Sequence, residues 1–506
     1  MRHRYLVAML AALIGAGLAG LTSGAAGAST VKKSGGGKLT VALSEPPISL
    51  NAFGPNDADP DTFEINKQVF NALVDPGKKP GTYVPDLATR WVRQGPNTWR
   101  FTLNTKIRFA NGKHVSAQDV VADLDTLTKS GTALSALWTS FASASAAGPR
   151  VVVIRTTQPM GTMLDALSLL PIVPAADVKN TSYWNKPFGT GPFEVTNFVP
   201  DQSVTLKPNP RYAGRRPAIT SLDFVSITNP ADLTSYVKSG QVDVVLQAPP
   251  SQASQLSGHG IKVAIVPSYS YDFVWFNCSK PPFSNQLVRQ AMLYALPLRQ
   301  IIRSIWGKYG TIGTAPIPST IFGYSRQTPY PYDPAKAKQL LARAGYPNGF
   351  STSLMWESGM APNLDTMAAA FTSAWSQIGV HVQLQPLPPA TWLSNLDSLN
   401  FSMDLQSNTD VTGDADYTLG RLYTATADRF GFKNAYLTSL LEDARSSVNP
   451  ALRKKLYARA ISFIWKEALG VFPVQTNSIF VWRDTVRGVT FPPSGIVSFA
   501  SASVQK

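Results

Sequence analysis

A single cysteine, Cys278, stands in 506 residues, so neither an intramolecular disulfide nor a cysteine-based zinc site can form. Histidine is nearly as scarce. His3, His114, His259 and His381 are the only four, and none has another within one helical turn. A His-Glu-x-x-His metal motif is absent, and so is a Gly-x-Ser-x-Gly nucleophile elbow. Gly15 to Gly20 makes the one Gly-x-Gly-x-x-Gly, but it lies in an apolar leader and follows no strand. Gly35-Gly36-Gly37-Lys38 fails as a phosphate loop, because Lys32 and Leu39 occupy the first Gly and the Ser/Thr positions. Cys278 has no histidine beside it and reads as a small buried hydrophobe rather than a nucleophile. Charged residues are also few, 15% against the ~25% usual for soluble domains. Together these absences argue against an enzyme, predict no metal or cofactor, and leave packing to hold the fold.

Packing material is plentiful. The chain is 44% apolar, with 24 Phe, 17 Tyr and 11 Trp, which excludes low-complexity disorder. Its length suggests two to four domains, each large enough to bury a core. Arg2 and Arg4 precede an uncharged stretch from Tyr5 to Val31, and Ala26-Gly27-Ala28 offers small residues before a cut. The stretch reads as a signal peptide cleaved after Ala28, with an uncleaved membrane anchor as the alternative. Leu18-Ala19-Gly20 resembles a bacterial lipobox, but Leu21 stands where the lipidated cysteine belongs, so no lipid anchor is expected. Residues 29–37 form a Gly/Ser/Lys linker. No later stretch has the length of a membrane span, which predicts a soluble mature chain, secreted or periplasmic.

Lys and Arg number 46 against 31 Asp and Glu, a net +15. Losing the leader's two arginines leaves +13. The basic residues are scattered, so nucleic acid is not expected. They read as a solvated surface, with weak affinity for anionic envelope polymers or lipid surfaces as the remainder.

Periodicity predicts strands at 38–43, 98–103, 150–156, 222–227, 242–246, 262–266, 272–276, 380–384 and 479–482. It predicts helices at 63–73, 231–238, 287–295, 335–344, 364–378 and 452–464, and one opening at Ser116 with Asp119 at its positive end. Strands alternating with helices indicate an α/β fold. Strand-rich ends around a helix-rich middle suggest that the C-terminus returns to the first lobe.

Several ordered segments resemble the family 5 extracellular solute-binding proteins, the peptide- and nickel-binding subunits of bacterial ABC importers. They are Val84-Pro-Asp-Leu-Ala88 with Trp91, Trp99-Arg-Phe-Thr-Leu103, Phe109-Ala-Asn-Gly112 and Ser116-Ala-Gln-Asp-Val120. Gly189-Thr-Gly-Pro-Phe193, Asn209-Pro-Arg-Tyr212, Ser239-Gly240-Gln241-Val242-Asp243, Pro282-Phe-Ser-Asn285 and Tyr332-Asp-Pro with Ala344-Gly-Tyr-Pro347 continue the series. The resemblance implies a two-lobed, type II periplasmic-binding clamshell with an extra subdomain. Lobe one would take 38–60, 186–270 and 479–506, the subdomain 61–185, and lobe two 271–478. Tyr271–Asn277 and Val474–Trp482 would form the hinge. Trp91 and Trp99 read as core rather than ligand platforms.

The implied function is capture of oligopeptides or dipeptides by lobe closure and delivery to ABC permease membrane subunits, by a protein expected to be a monomer. Peptide-binding relatives hold the ligand's amino group with a lobe-two aspartate, which here best matches Asp410 in Thr409-Asp410-Val-Thr-Gly-Asp414-Ala-Asp416-Tyr417. That stretch has one extra residue and Ala415 in place of a common proline. The family's carboxylate-binding arginine has no match in Met355–Met360, and no Lys or Arg occurs from Ala344 to Gly420. Either another basic residue serves, or water does, or the ligand has no carboxylate. Glu45, Glu357, Asp410, Asp414 and Asp416 would suit a cationic ligand, and Trp356, Trp392 and Tyr417 would either stack on one or fill the core. Glu45 and Ile48 follow the first strand, where cleft residues often arise. Nickel chelates, oligosaccharides and cationic small molecules remain rival cargoes, and an envelope sensor without transport remains a rival role.

Overall fold

The computed structural model describes residues 36–43, 47–227, 229–258, 260–361 and 363–505. The leader, most of the 29–37 linker, and Glu45 lie outside them. Among the described residues, no helix is long and apolar enough to cross a membrane.

In chain order the strands begin with β1 (Lys38–Leu43), the hairpin β2 (Val74–Pro76) and β3 (Tyr83–Pro85), β4 (Ala88–Arg93) and β5 (Thr98–Leu103). Next come β6 (Phe141–Ala146), β7 (Val151–Thr156), β8 (Phe193–Val199), β9 (Ser203–Pro208), β10 (Ser221–Ser226) and β11 (Val244–Val245). The rest are β12 (Ile261–Phe276), β13 (Gly310–Ile312), β14 (Phe350–Glu357), β15 (Val380–Leu387), β16 (Met403–Thr409) and β17 (Gly470–Arg483). One 11-stranded mixed sheet runs β15-β14-β16-β12-β17-β11-β1-β10-β9-β8, with β13 beside β17. A separate four-stranded sheet, β4-β5-β7-β6, stands within residues 88–156.

Two large cores hang from this frame. One packs Leu39, Val41, Phe101, Ile154 and Phe224 with the C-terminal Phe480, Val497 and Phe499. The other packs Phe273, Trp275, Met292, Phe371, Trp375, Tyr457 and Val471. The first is called the first lobe here and the second the second lobe. The architecture is thus a two-lobed α/β clamshell, and the chain does return to its first lobe. The four-stranded sheet shares the first lobe's core, since Phe101, Val152 and Ile154 sit in the same cluster as Val41.

β12 and β17 cross between the lobes. Periodicity predicted two strands at 262–266 and 272–276, but the structure has one continuous strand of 16 residues. The gap in the pattern is a bulge. Pairing to β17 shifts register between Pro267 and Tyr271, where a proline cannot donate to the ladder. Side chains take over there. Ser268 Oγ donates to the Thr476 carbonyl at 2.7 Å, and Gln475 Nε2 to the Ser268 carbonyl at 3.0 Å. Ser319 donates its N–H and its hydroxyl to Gln475 Oε1, at 3.0 and 2.8 Å.

The helix expected at 63–73 instead spans Pro60–Val69. Asp59 caps it by accepting the Thr62 N–H at 2.8 Å, and Pro60 sits at its first position, where no N–H is needed. At Ser116 the expected start is present, with Asp119 accepting the Ser116 N–H at 2.8 Å.

Candidate functional site

Between the lobes lies a cavity of about 630 Å³. Its first-lobe wall includes Lys67, Asn71, the β2–β3 hairpin, Asp86, Tyr212 and the segment 490–498. Its second-lobe wall is Thr320, Val411, Thr412 and Gly413, and Tyr269 of the crossing strand β12 adjoins them.

The C-terminal wall is tied down from the helix Pro60–Val69. Glu64 and Gln68 are four residues apart and so share a helix face. Glu64 Oε2 accepts the Val497 N–H at 2.8 Å, while Gln68 donates to the Val497 carbonyl at 2.7 Å and accepts the Phe499 N–H at 3.2 Å. Burial holds the Glu64 carboxyl well above the usual range. On the same lobe Asp86 accepts from Asn71 Nδ2 and the Ala72 N–H at 2.8 and 2.9 Å. Burial, then the nearby Asp75 carboxylate, pushes Asp86 to about 7.

The second-lobe wall is the loop after β16. Asp410 is only 1% exposed and turns its carboxylate into the loop rather than into the cavity. Its Oδ1 accepts the Thr412 N–H (2.9 Å), the Thr412 hydroxyl (3.0 Å) and the Gly413 N–H (2.8 Å), and Oδ2 accepts from Thr418 Oγ1 at 3.2 Å. Gly413 has φ +74°, and a Cβ there would meet the Tyr269 hydroxyl at 2.9 Å. Burial pushes Asp410 to about 7 against these opposing hydrogen bonds. Its own N–H donates to the Tyr269 carbonyl, and Val411 packs on the first-lobe core.

Asp414 lies deeper. Its Oδ1 accepts from Arg453 Nη2 at 2.7 Å and from the Tyr457 hydroxyl at 3.3 Å. Asp416 is held by Arg445, whose Nε donates to both carboxylate oxygens at 3.0 and 3.1 Å. Tyr417 is half-buried with the Arg421 guanidinium 4.5 Å from its ring centroid. Across the lobe boundary stands Asp165, which accepts from the Tyr83 hydroxyl. Burial, reinforced by the Asp414 carboxylate, holds Asp165 well above the usual range. The lobes also touch through backbone, since the Gly161 N–H donates to the Arg445 carbonyl at 2.7 Å.

The structure brings Asp410, Asp414, Asp416 and Tyr417 together in one loop and puts the other candidates elsewhere. Trp356 is buried and donates to Asp365 at 2.7 Å. Trp392 donates to Asp404 at 2.9 Å. Glu357 ends β14, half-buried, and Ile48 is 61% exposed. None of these side chains lines the interlobe cavity. Sequence reasoning missed Lys67, Tyr83, Asp86, Tyr212 and Tyr269. The usable signal was Asp75-Pro-Gly-Lys-Lys-Pro-Gly81, a turn carrying two lysines between short strands.

The matching family model, bacterial extracellular solute-binding proteins, family 5, middle, covers residues 82–430. The chain belongs to the family 5 bacterial extracellular solute-binding proteins. Members of this family are solute-binding proteins rather than enzymes. It is similar to glutathione-binding protein GsiB of Escherichia coli O1:K1, 26% identical over 430 residues, 81% of this chain and 83% of the relative. In fold it is similar to the ABC transporter substrate-binding protein CtaP of Listeria monocytogenes, with a TM-score of 0.84 at 18% identity over 93% of this chain and all of that one. DppA of Helicobacter pylori, in complex with peptide STSA, gives a TM-score of 0.77 at 23% identity over 94% and 99% of the two chains. The clamshell is therefore that of the type II periplasmic binding proteins.

Proposed function

We infer that this family 5 protein is secreted, captures short peptides between its lobes and delivers them to the permease subunits of an ABC importer. The observation that carries the reading is the 630 Å³ cavity walled by both lobes, with Lys67, Lys78 and Lys79 on one side of it. A peptide needs a partner for its carboxylate, and these lysines supply the positive charge that residues 344–420 lack. Thr412 and Gly413 face them from the second lobe. Asp410 shapes that wall by holding its backbone. A relative named for glutathione and a structural neighbour holding peptide STSA support the same cargo class. Closure is the whole mechanism: ligand binds the closed arrangement better than the open one and shifts the population.

The N-terminal reading fits this role, with a leader cut after Ala28 and no lipid at Leu21. Residues 38–60, 186–270 and 479–506 are assigned to lobe one, 61–185 to its extra subdomain and 271–478 to lobe two. The protein acts as a monomer. Isothermal titration against di- to pentapeptides and glutathione tests the cargo. Binding of at least one peptide is expected, and native mass spectrometry should find peptides in the purified protein. If a sugar or a metal chelate binds and no peptide does, the peptide reading fails.

A further inference from the structure

A second cavity, of about 1150 Å³, lies wholly within the second lobe and shares no lining residue with the interlobe cavity. Its walls come from the helix Leu298–Trp306, from β13 and from the loop that follows β13. Arg299 and Arg303 stand four residues apart on that helix, so they project from one face. Ile301, Ile302 and Trp306 of the same helix are buried and pack it onto the lobe. Arg326, from the loop, lines the same groove.

The setting of these arginines points to a ligand. Like charges at this spacing repel, and that helix carries no acid to offset them. Among the described residues no carboxylate lines the groove. Among the described residues none of the three guanidinium groups has an ion-pair or hydrogen-bond partner. The nearest acid in sequence, Asp333, is already used as a helix cap for the Lys336 N–H at 2.8 Å. All three are guanidinium groups, whose planar donors match oxyanions in pairs, where an ammonium acts as a point charge. Thr311 adds a hydroxyl-bearing side chain to the wall, whereas the Thr314 and Ser319 hydroxyls are already engaged by Tyr324 and Gln475.

We propose that this groove binds a pyrophosphate-type anion, free or as the anionic end of a soluble organic molecule. Three positive charges lining one groove call for about three counter-charges. A pyrophosphate group brings them in one compact unit, whereas carboxylates would have to be gathered separately. The groove is far larger than that unit, so an organic portion would rest on the exposed Tyr332 and on Pro329 and Pro331.

The test is isothermal titration of the full mature chain with inorganic pyrophosphate. Saturable binding is expected, weakened by salt. R299Q/R303Q/R326Q should lower the affinity at least about tenfold, because it removes every charge-assisted donor in the groove. The corresponding triple Lys variant should recover only part of it, since charge returns without the fork. All three side chains are exposed, so thermal melts should match wild type. R303Q alone provides a milder check. Absent binding, or binding unchanged in the triple variant, overturns the proposal. So does equal binding of anionic lipid vesicles through the same three arginines, which would make the groove a membrane-facing patch.

Discussion

Arg453 donates from Nη2 to Asp414 Oδ1 at 2.7 Å, and both side chains are almost wholly withdrawn from water. The pair anchors the cleft loop to the helix Pro450–Lys466. Breaking it strands a buried charge. R453M is expected to lower unfolding stability by about 3–5 kcal/mol, whereas R453M/D414N, which removes both charges, should lose less. Urea denaturation of both variants checks this. A double variant as unstable as the single would show that packing, not charge, dominates.

The pH dependence follows from Asp410. Its folded carboxyl titrates near 7, above the 3.8 of an unperturbed aspartate, so between those values the folded state holds a proton that the unfolded state has lost. Its contribution to stability is therefore present at acid pH and declines as pH rises from about 4 to about 7, at up to about 1.4 kcal/mol per pH unit. D410N carries no titrating proton and should show a shallower decline. Denaturation midpoints at pH 5 and pH 7 decide it, and identical slopes would refute the assignment.

Closure has its own test at Gly161. A Cβ there would sit 2.0 Å from the Ser447 carbonyl oxygen on the facing lobe. G161V should hold the lobes apart and weaken ligand binding by at least about tenfold, or 1.4 kcal/mol, without loss of folded structure. Titration combined with small-angle scattering reads both effects. Wild-type affinity in G161V would mean that the contact is incidental to binding.

The hairpin lysines bear on ligand chemistry. K78A/K79A is expected to weaken peptides with a free carboxylate by roughly three- to tenfold, about 0.7–1.4 kcal/mol, and to spare the same peptides with an amidated C-terminus. Equal losses for both would place the carboxylate elsewhere.

The α/β class, most elements and the family were legible because they rest on local patterns and on ordered motifs. The Asp410–Tyr417 loop was found this way. The direction of its carboxylates was not, because that depends on neighbours the chain brings from afar, such as Arg453, 39 residues beyond Asp414. Trp356 and Trp392 show the same limit. An aromatic on a strand or helix does not declare whether it faces a ligand or, as here, an internal aspartate.

By itself the sequence determined that no disulfide or cysteine–zinc chemistry holds this protein, that its elements alternate, and where proline breaks a pattern. Even Pro267 was ambiguous alone: it separates two strand signals, and only pairing with β17 showed one strand bent at a bulge. Tertiary structure decided the cleft. Lys67, Tyr212, Tyr269, Val411 and Ser494 are scattered along the chain, and they meet because β12 and β17 carry the backbone between two cores. Local propensity acts over a few residues, whereas a cavity is made by the closure of long loops whose entropy is met only when both cores form together.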